Sequence, residues 1–146
     1  MRFCIENKLN YEIISGVTSA LAAASLYGIP LTERGKNSMV LFGTGHYSEG
    51  EFLDLDTFVS VLNQGSPIII FIGLNKLIQL ANRLIEQSIS GDTRVQILSK
   101  VSQPDAIAVE GTLKNISQII EDKKPSMPAL VFIGKNVIRL NVLGRE

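Results

Sequence analysis

The feature that most constrains the fold is the stretch 11–26, where a β-favouring run meets an alanine-rich run across a single glycine, Gly16. Residues 11–14 favour a strand, and residues 20–26 favour a helix, because alanine and leucine lose little conformational freedom there. A glycine between the two runs lets the backbone bend sharply. The stretch therefore predicts a strand that turns directly into a helix, as in α/β folds.

Two hydroxyl residues, Thr18 and Ser19, fall at the predicted N-terminus of this helix. A side-chain oxygen at that position can accept a hydrogen bond from a free backbone N–H and so cap the helix. The same position can hold a polar ligand in the crevice where the strands of an α/β sheet end. Spacing alone favours the cap, and both interpretations stay open at this point.

The rest of the chain begins as alternating strands and helices and finishes with hairpins. Strands are predicted at 38–43, 68–72, 95–98, 106–110, 129–133 and 137–140, and helices near 54–64, 74–87 and 113–122. Thr112 is predicted to cap the last helix, and the three residues 134–136 predict the turn of a closing hairpin. We therefore expect one α/β domain with a mixed sheet of about five strands and helices on both faces.

Composition disfavours several classes of function. The chain has 146 residues, of which 45% are hydrophobic, and Lys+Arg and Asp+Glu both number 14. This balance predicts neither a nucleic acid nor an anionic membrane as a partner. No apolar run approaches the roughly 20 residues that span a bilayer, no signal peptide is visible, and a single cysteine excludes an internal disulfide. We therefore expect a cytoplasmic protein.

Residues of the common catalytic and metal-binding motifs are sparse. The chain has one His and one Cys, and it contains no Gly-x-Ser-x-Gly, no paired metal-ligand motif and no Gly-x-x-x-x-Gly-Lys-Ser/Thr loop. These motifs position nucleophiles, metals and phosphates. A hydrolase and a metalloenzyme are therefore disfavoured, no metal is expected, and no catalytic residue is assigned.

Short glycine-containing and apolar motifs follow one another along the chain. They are Gly28-Ile29-Pro30-Leu31-Thr32-Glu33-Arg34-Gly35, Thr44-Gly45-His46, Phe71-Ile72-Gly73-Leu74, Val109-Glu110-Gly111-Thr112-Leu113 and Pro128-Ala129-Leu130-Val131-Phe132-Ile133-Gly134. In this order they resemble the tetrapyrrole methylase family across essentially the whole chain. The first two are similar to those of the uroporphyrinogen-III C-methyltransferases, which methylate a tetrapyrrole on the way to sirohaem and cobalamin.

The resemblance implies that S-adenosyl-L-methionine is the methyl donor and S-adenosyl-L-homocysteine the product. Methyl transfer from an activated sulfonium mainly requires that donor and acceptor be held in line. The family's cofactor contacts correspond to Thr18, Ser19, Ile72, Val101 and Ala129. Ile72 and Val101 depart from the family's usual Met and small residue, and plain core packing is the alternative for Ile72 and Ala129.

On the acceptor side the resemblance implies Arg34 and His46. An acceptor with many carboxylates needs cations, and Arg offers each carboxylate a bidentate fork. Glu33 stands where the family commonly has His. The alternatives are a solvated Arg34 paired with Glu33 or Glu12, and a His46 that only braces the turn after Thr44.

The family also carries an N-terminal domain with Gly-Pro-Gly-Asp and Gly-Gly-Asp-Pro segments, and neither occurs here. We therefore expect residues 1–146 to be the C-terminal domain of such an enzyme, inactive alone, with residues 1–7 ending a helix that enters from the missing domain. The family implies a tetrapyrrole substrate and a homodimer. The alternatives are a precorrin methyltransferase of the same family and a non-catalytic binding or dimerisation module.

Overall fold

The computed structural model describes residues 1–45 and 55–140. Its helices and strands are, in chain order, α1 (Arg2–Glu6), α2 (Ser19–Leu26), β1 (Leu41–Thr44), α3 (Leu55–Asn63), β2 (Ile68–Phe71), α4 (Leu77–Glu86), β3 (Arg94–Ser99), β4 (Ile107–Thr112), α5 (Ile116–Lys123) and β5 (Ala129–Ile133). A 3₁₀ turn over Leu74–Lys76 leads into α4, where the sequence predicted one continuous helix.

The five strands form one mixed sheet in the order β1-β2-β5-β3-β4. β1 and β2 are parallel, whereas β5 runs antiparallel to both β2 and β3, and β4 runs antiparallel to β3. The carboxyl ends of β1, β2 and β3 therefore lie at one edge, together with the amino ends of β4 and β5. We call this the carboxyl edge, and the opposite one, where β1 and β2 begin, the amino edge.

Helices cover both faces of the sheet. The larger core holds Phe58 of α3, Leu80 of α4 and Ile116 of α5 against one face. On the other face, Ala20 and Ala23 of α2 are fully buried, because alanine lets that helix lie close to the strands. The prediction of a mixed sheet of about five strands with helices on both faces is confirmed.

The predicted strand at residues 11–14 is wrong. The sequence there favours β structure, but an extended segment becomes a strand only when a neighbouring strand takes its backbone hydrogen bonds. In the part of the chain that the structure describes, residues 10–17 make no backbone hydrogen bond, and α2 begins directly after them.

Two further predictions for the second half of the chain are wrong. Thr112 is the last residue of β4 rather than a helix cap, and its N–H donates to Asn115 Oδ1 at 2.7 Å. The closing hairpin does not form within the described residues. Instead, Val137 is buried in the α2-side core and Leu140 N–H donates to the carbonyl oxygen of Gly28 at 3.0 Å, so the segment after β5 packs as irregular backbone.

Candidate functional site

A cavity of about 240 Å³ lies at the carboxyl edge, beside the N-terminus of α2. Its walls come from α2, the ends of β2 and β3, and the start of β5. The lining residues are Ser19, Phe71, Ile72, Leu98, Val101, Met127, Pro128, Ala129 and Leu130. The structure thus brings together four of the five predicted cofactor contacts, although these lie far apart in the sequence. We refer to this space as the carboxyl-edge cavity.

The fifth predicted residue, Thr18, is the N-cap of α2. Its side chain accepts a hydrogen bond from the backbone N–H of Ala20 at 3.4 Å. The capping interpretation therefore describes Thr18. Ser19 is exposed and lies in the cavity wall, and its contact with a ligand stays a prediction.

The ends of β1 and β2 meet backbone to backbone beside this cavity. A Cβ on Gly45 would lie 2.4 Å from the Cα of Gly73, and one on Gly73 would lie 2.6 Å from Ile70 Cγ2. The N–H of Gly45 donates to the carbonyl oxygen of Phe71 at 2.8 Å. No side chain fits at either glycine, so the two strand ends are held at a fixed close distance.

Ile72 lies between these contacts in a strained conformation. Its φ is +54°, in the left-handed region that β-branched residues rarely adopt, and its side chain is 55% exposed. Such strain persists only where the surrounding structure enforces it, and it concentrates at ligand-binding sites. The backbone conformation of Ile72, rather than its side-chain type, is therefore what distinguishes this position as a candidate ligand contact.

The loop after β3 supplies Val101 to the cavity. Val101 stands between two residues with positive φ, Lys100 at +50° and Ser102 at +68°. The N–H of Lys100 donates to the carbonyl oxygen of Pro128 at 2.8 Å, which ties this loop to the cavity wall. The Lys100 ammonium also donates to the Asp105 carboxylate and thereby lowers the pKa of Asp105.

The lining of the carboxyl-edge cavity is suited to bind an apolar group. None of its nine lining residues is charged, and Ser19 contributes the one side-chain hydroxyl among them. Such a lining holds an apolar ring by contact, while backbone groups at strand ends are available to its polar edges. Sites for small molecules usually measure about 300–1,000 Å³. The cavity therefore accommodates part of a nucleoside-sized ligand.

Arg34 lies at the amino edge, away from this cavity. It lines a second cavity of about 450 Å³ together with residues such as Lys36, Gln64 and Ser66. Ser66 precedes β2, whereas Ile72 follows it, and a strand of four residues is about 13 Å long. The structure therefore does not bring Arg34 together with the predicted cofactor contacts. His46 lies outside the described residues.

The turn that carries Arg34 is fixed by Asn37. The Asn37 carboxamide accepts from Glu33 N–H at 3.1 Å and donates to the carbonyl oxygen of Leu31 at 2.7 Å. The carboxylate of Glu33 pairs with Lys36 at 2.8 Å. The ion pair considered from the sequence, between Glu33 and Arg34, is thus replaced by one between Glu33 and Lys36.

Sequence reasoning named some cavity residues and missed others, which are Phe71, Leu98, Met127, Pro128 and Leu130. Their residue types do not distinguish them from core positions, and only their place at strand ends could have pointed to them. Within residues 1–45 and 55–140, no three His, Cys, Asp or Glu side chains gather as a metal site. In the same ranges, no helix combines the length and apolar character needed to cross a membrane.

Comparison with known proteins gives consistent matches. The model of the family described as Tetrapyrrole (Corrin/Porphyrin) Methylases matches residues 1–117. A Methanosarcina barkeri protein named S-adenosyl-L-methionine-dependent uroporphyrinogen III methyltransferase is 32% identical over 97% of this chain and 56% of its own length. The uroporphyrinogen-III C-methyltransferase of Bacillus subtilis is also 32% identical, over 91% of this chain and 51% of its own length. The chain thus spans about half the length of these curated relatives.

Solved structures share the same fold. A Thermus thermophilus uroporphyrin-III C-methyl transferase, complexed with S-adenyl homocysteine, superposes with a TM-score of 0.73 at 25% identity, over 93% of this chain and 57% of that one. A cobalt precorrin-4 methyltransferase gives a TM-score of 0.82 over 94% of this chain and 57% of that one. At 20% identity, the second likeness is one of fold alone.

Proposed function

This chain belongs to the tetrapyrrole (corrin/porphyrin) methylase family, and we propose that it is the C-terminal half of a uroporphyrinogen-III C-methyltransferase that uses S-adenosyl-L-methionine. The observation that carries the proposal is the gathering of Ser19, Ile72, Val101 and Ala129 in one apolar cavity. The names of two relatives at 32% identity support uroporphyrinogen III as the acceptor. The methylation would then serve sirohaem or cobalamin synthesis, as the family resemblance implies. A precorrin acceptor has only a likeness of fold in its favour.

The carboxyl-edge cavity fits the uncharged part of the donor. Its apolar walls suit a neutral aromatic base, and the crowding of Gly45 against Gly73 keeps side chains away from the strand ends where backbone must approach a ligand closely. Ile72, Val101 and Ala129 would hold the donor through backbone groups and contact. When bound, the donor supplies an already activated methyl group.

Residues of this chain would position the donor and exclude water from one side of it. Leu98 and Leu130 are buried cavity walls that keep water from one side of the ligand. The left-handed backbone at Ile72 and the loop held by Lys100 fix the rim before any ligand arrives, and a preformed rim reduces the entropy lost on binding. No described residue is positioned in the cavity as an acid or base, so proton transfer belongs to groups elsewhere in the enzyme.

Binding of S-adenosyl-L-homocysteine tests the proposal directly. In an NMR titration of this chain, we expect amide shifts at Ser19, Ile72, Val101 and Ala129. Val101→Phe should abolish them, because the larger ring fills the cavity from a half-buried position. Ala106→Phe, at a half-buried position outside the cavity lining, is the matched control and should leave the titration unchanged. Saturable shifts confined to another surface, or none at millimolar ligand, would contradict the assignment.

The small cavity also implies that the chain alone does not turn over substrate. A wall from the other half is needed to enclose the donor and to hold the acceptor. Adding uroporphyrinogen III and donor to this chain should give no methylated product. Sustained turnover by the chain alone would show that the missing half is unnecessary.

Arg34 and His46 stay predictions for the acceptor side. In the completed enzyme, Arg34→Gln should raise KM for uroporphyrinogen without changing the affinity for S-adenosyl-L-homocysteine, because Arg34 lies at the amino edge. Lys36→Gln is the control, since Lys36 is already paired with Glu33. Equal effects of the two variants would indicate a general charge effect rather than a carboxylate contact.

Self-association and location complete the proposal. Exposed apolar side chains outside the cavity lining, among them Leu21, Met39 and Phe42, support a homodimer that buries part of this surface. We place the enzyme in the cytoplasm, on the single cysteine and the composition. Light scattering at micromolar concentration should report twice the chain mass, and a monomer would contradict the dimer.

A further inference from the structure

Ser99, the last residue of β3, has a fully buried hydroxyl without a hydrogen-bond partner. Its relative exposure is 0%, and its Oγ makes no hydrogen bond to any residue that the structure describes. Burial of such a group destabilises the fold, because the hydroxyl loses water and gains no replacement. Alanine would fill nearly the same space without this loss. The hydroxyl is therefore expected to have a partner that the free chain does not supply.

The position of Ser99 is directly beside the carboxyl-edge cavity. Leu98 precedes it and Val101 follows it, and both line the cavity. Ser99 is also paired with Ala129 across the β3–β5 ladder, and Ala129 is a third lining residue. Directly paired residues of an antiparallel ladder have Cβ atoms about 4.5–5.5 Å apart on the same face of the sheet. The hydroxyl therefore lies one side chain away from the cavity.

Met127 is the lining residue whose movement would expose this hydroxyl. Alternation along β3 places the Ser99 side chain on the face of Val95 and Ile97, which belong to the larger core. Met127 packs against the same core and also lines the cavity. Its unbranched side chain is only partly buried and has three rotatable bonds, whereas Ala129 has none to rotate. Rotation of Met127 would both open the cavity toward Ser99 and enlarge it.

A ligand in this cavity needs both the added space and a polar partner. The present volume of about 240 Å³ is less than a nucleoside-sized ligand requires. A neutral base has donors and acceptors along its edge, and these need partners in an apolar cavity. A hydroxyl can both donate and accept, so it suits either kind of atom. The amino-acid part of the donor is charged, and no lining residue has a charge to pair with it.

We propose that the Ser99 hydroxyl forms a hydrogen bond with the polar edge of the donor's adenine base, after the Met127 side chain has moved aside. This inference rests on the proposed function and adds to it the side chain that recognises the base. The instability caused by the unpartnered hydroxyl in the free chain would then be offset when the ligand binds.

The affinity of Ser99→Ala for two ligands tests the inference. In NMR titrations, the Kd for S-adenosyl-L-homocysteine should rise about tenfold, which corresponds to roughly 1.4 kcal/mol and to the loss of one buried hydrogen bond. 5′-Methylthioadenosine has the same base without the amino-acid part, so its Kd should rise by the same factor. Unchanged Kd values would overturn the inference. Weakening confined to S-adenosyl-L-homocysteine would also overturn it, because the contact would not be with the base.

Thermal unfolding without ligand separates this role from a structural one. Ser99→Ala should raise Tm by about 2–4 °C, because it removes a buried hydroxyl that lacks a partner. Thr112→Val is the matched control, since Thr112 Oγ1 is also buried and unpartnered within the described residues but lies at the amino edge. It should raise Tm similarly and leave both Kd values unchanged. A lower Tm for Ser99→Ala, or equal weakening of binding by the two variants, would contradict the inference.

Methionine methyl signals report the movement of Met127. The chain has three methionines, and Met1 and Met39 are absent from the cavity lining. In a chain labelled at methionine methyl groups, the Met127 signal should shift during the titration while the other two stay in place. Binding that leaves the Met127 signal unchanged would overturn the proposed movement and, with it, access to Ser99.

The same titrations keep this inference distinct from the proposed function. Binding at the carboxyl-edge cavity that Ser99→Ala does not weaken would overturn the inference alone and leave the proposed function standing. No binding of either ligand by the parent chain would overturn both. Weaker binding of both ligands by Ser99→Ala, together with its higher Tm, would support the two proposals.

Discussion

The two edges of the sheet are built in opposite ways. At the carboxyl edge, apolar side chains surround a small cavity, strand ends touch backbone to backbone, and Ile72 is held at a φ of +54°. At the amino edge, a larger and more polar cavity lies beside a turn that Asn37 ties with side-chain hydrogen bonds. Strain at one edge and hydrogen-bond satisfaction at the other support the proposed ligand site at the carboxyl edge.

The largest expected effect comes from the backbone contact at the carboxyl edge. Gly45→Ala places a Cβ 2.4 Å from Gly73 Cα and 2.9 Å from the carbonyl oxygen of Ile72, and backbone cannot rotate away as a side chain can. We expect the free energy of unfolding to fall by about 3 kcal/mol in urea titrations. Gly16→Ala meets nothing within 4 Å and should be nearly neutral. Equal stability of the two variants would show that the strand ends do not touch.

At the amino edge, the expected loss is smaller because it comes from hydrogen bonds. Asn37→Ala removes the acceptor for Glu33 N–H and the donor to Leu31, leaving partly buried backbone groups unpaired. We expect a loss of about 2 kcal/mol. Asn82→Ala, at an exposed position on α4, should be neutral or slightly stabilising. Binding of S-adenosyl-L-homocysteine should survive Asn37→Ala, and its loss would contradict the separation of the two edges.

Residue patterns predicted the centre of the fold well. The apolar run at 68–72 and the amphipathic stretch 74–87 match β2 and the turn with α4, because burial on one or both sides leaves a clear periodic signal. The strand at 11–14 failed for the opposite reason. Its residues favour β structure, but no strand in the described part of the chain takes their backbone hydrogen bonds.

For the candidate site, the sequence could name positions but not distances. Family resemblance implied Ser19, Ile72, Val101 and Ala129, and the structure places all four in one cavity. Leu98 and Leu130 escaped notice because an apolar residue at a strand end looks like any other core residue. Arg34 could be named for its charge, yet only the topology shows that it lies at the other edge of the sheet.

A gain rather than a loss is expected where the strain itself is removed. Ile72→Gly relieves the left-handed conformation, and because the side chain is mostly exposed, little burial is lost. After the entropy of the added glycine is subtracted, we expect the free energy of unfolding to rise by about 0.5 kcal/mol. Ile107→Gly, at an exposed isoleucine of β4, should instead lower the free energy of unfolding by about 1 kcal/mol. If both variants lose stability equally, the strain assigned to Ile72 is not there.

The smallest effect concerns the ion pair that steadies the loop of the carboxyl edge. Hydrogen bonding from Lys100 lowers the pKa of Asp105 in the folded protein, so this stabilisation is complete above the unfolded pKa of about 3.9 and is lost as the pH falls through the folded pKa. Asp105→Asn should therefore lower Tm slightly at pH 6 and not at all once Asp105 is protonated in both states. In a Lys100→Gln background, Asp105→Asn should have no effect at either pH, since its partner is gone. A pH-independent difference would place the effect in packing rather than in the ion pair.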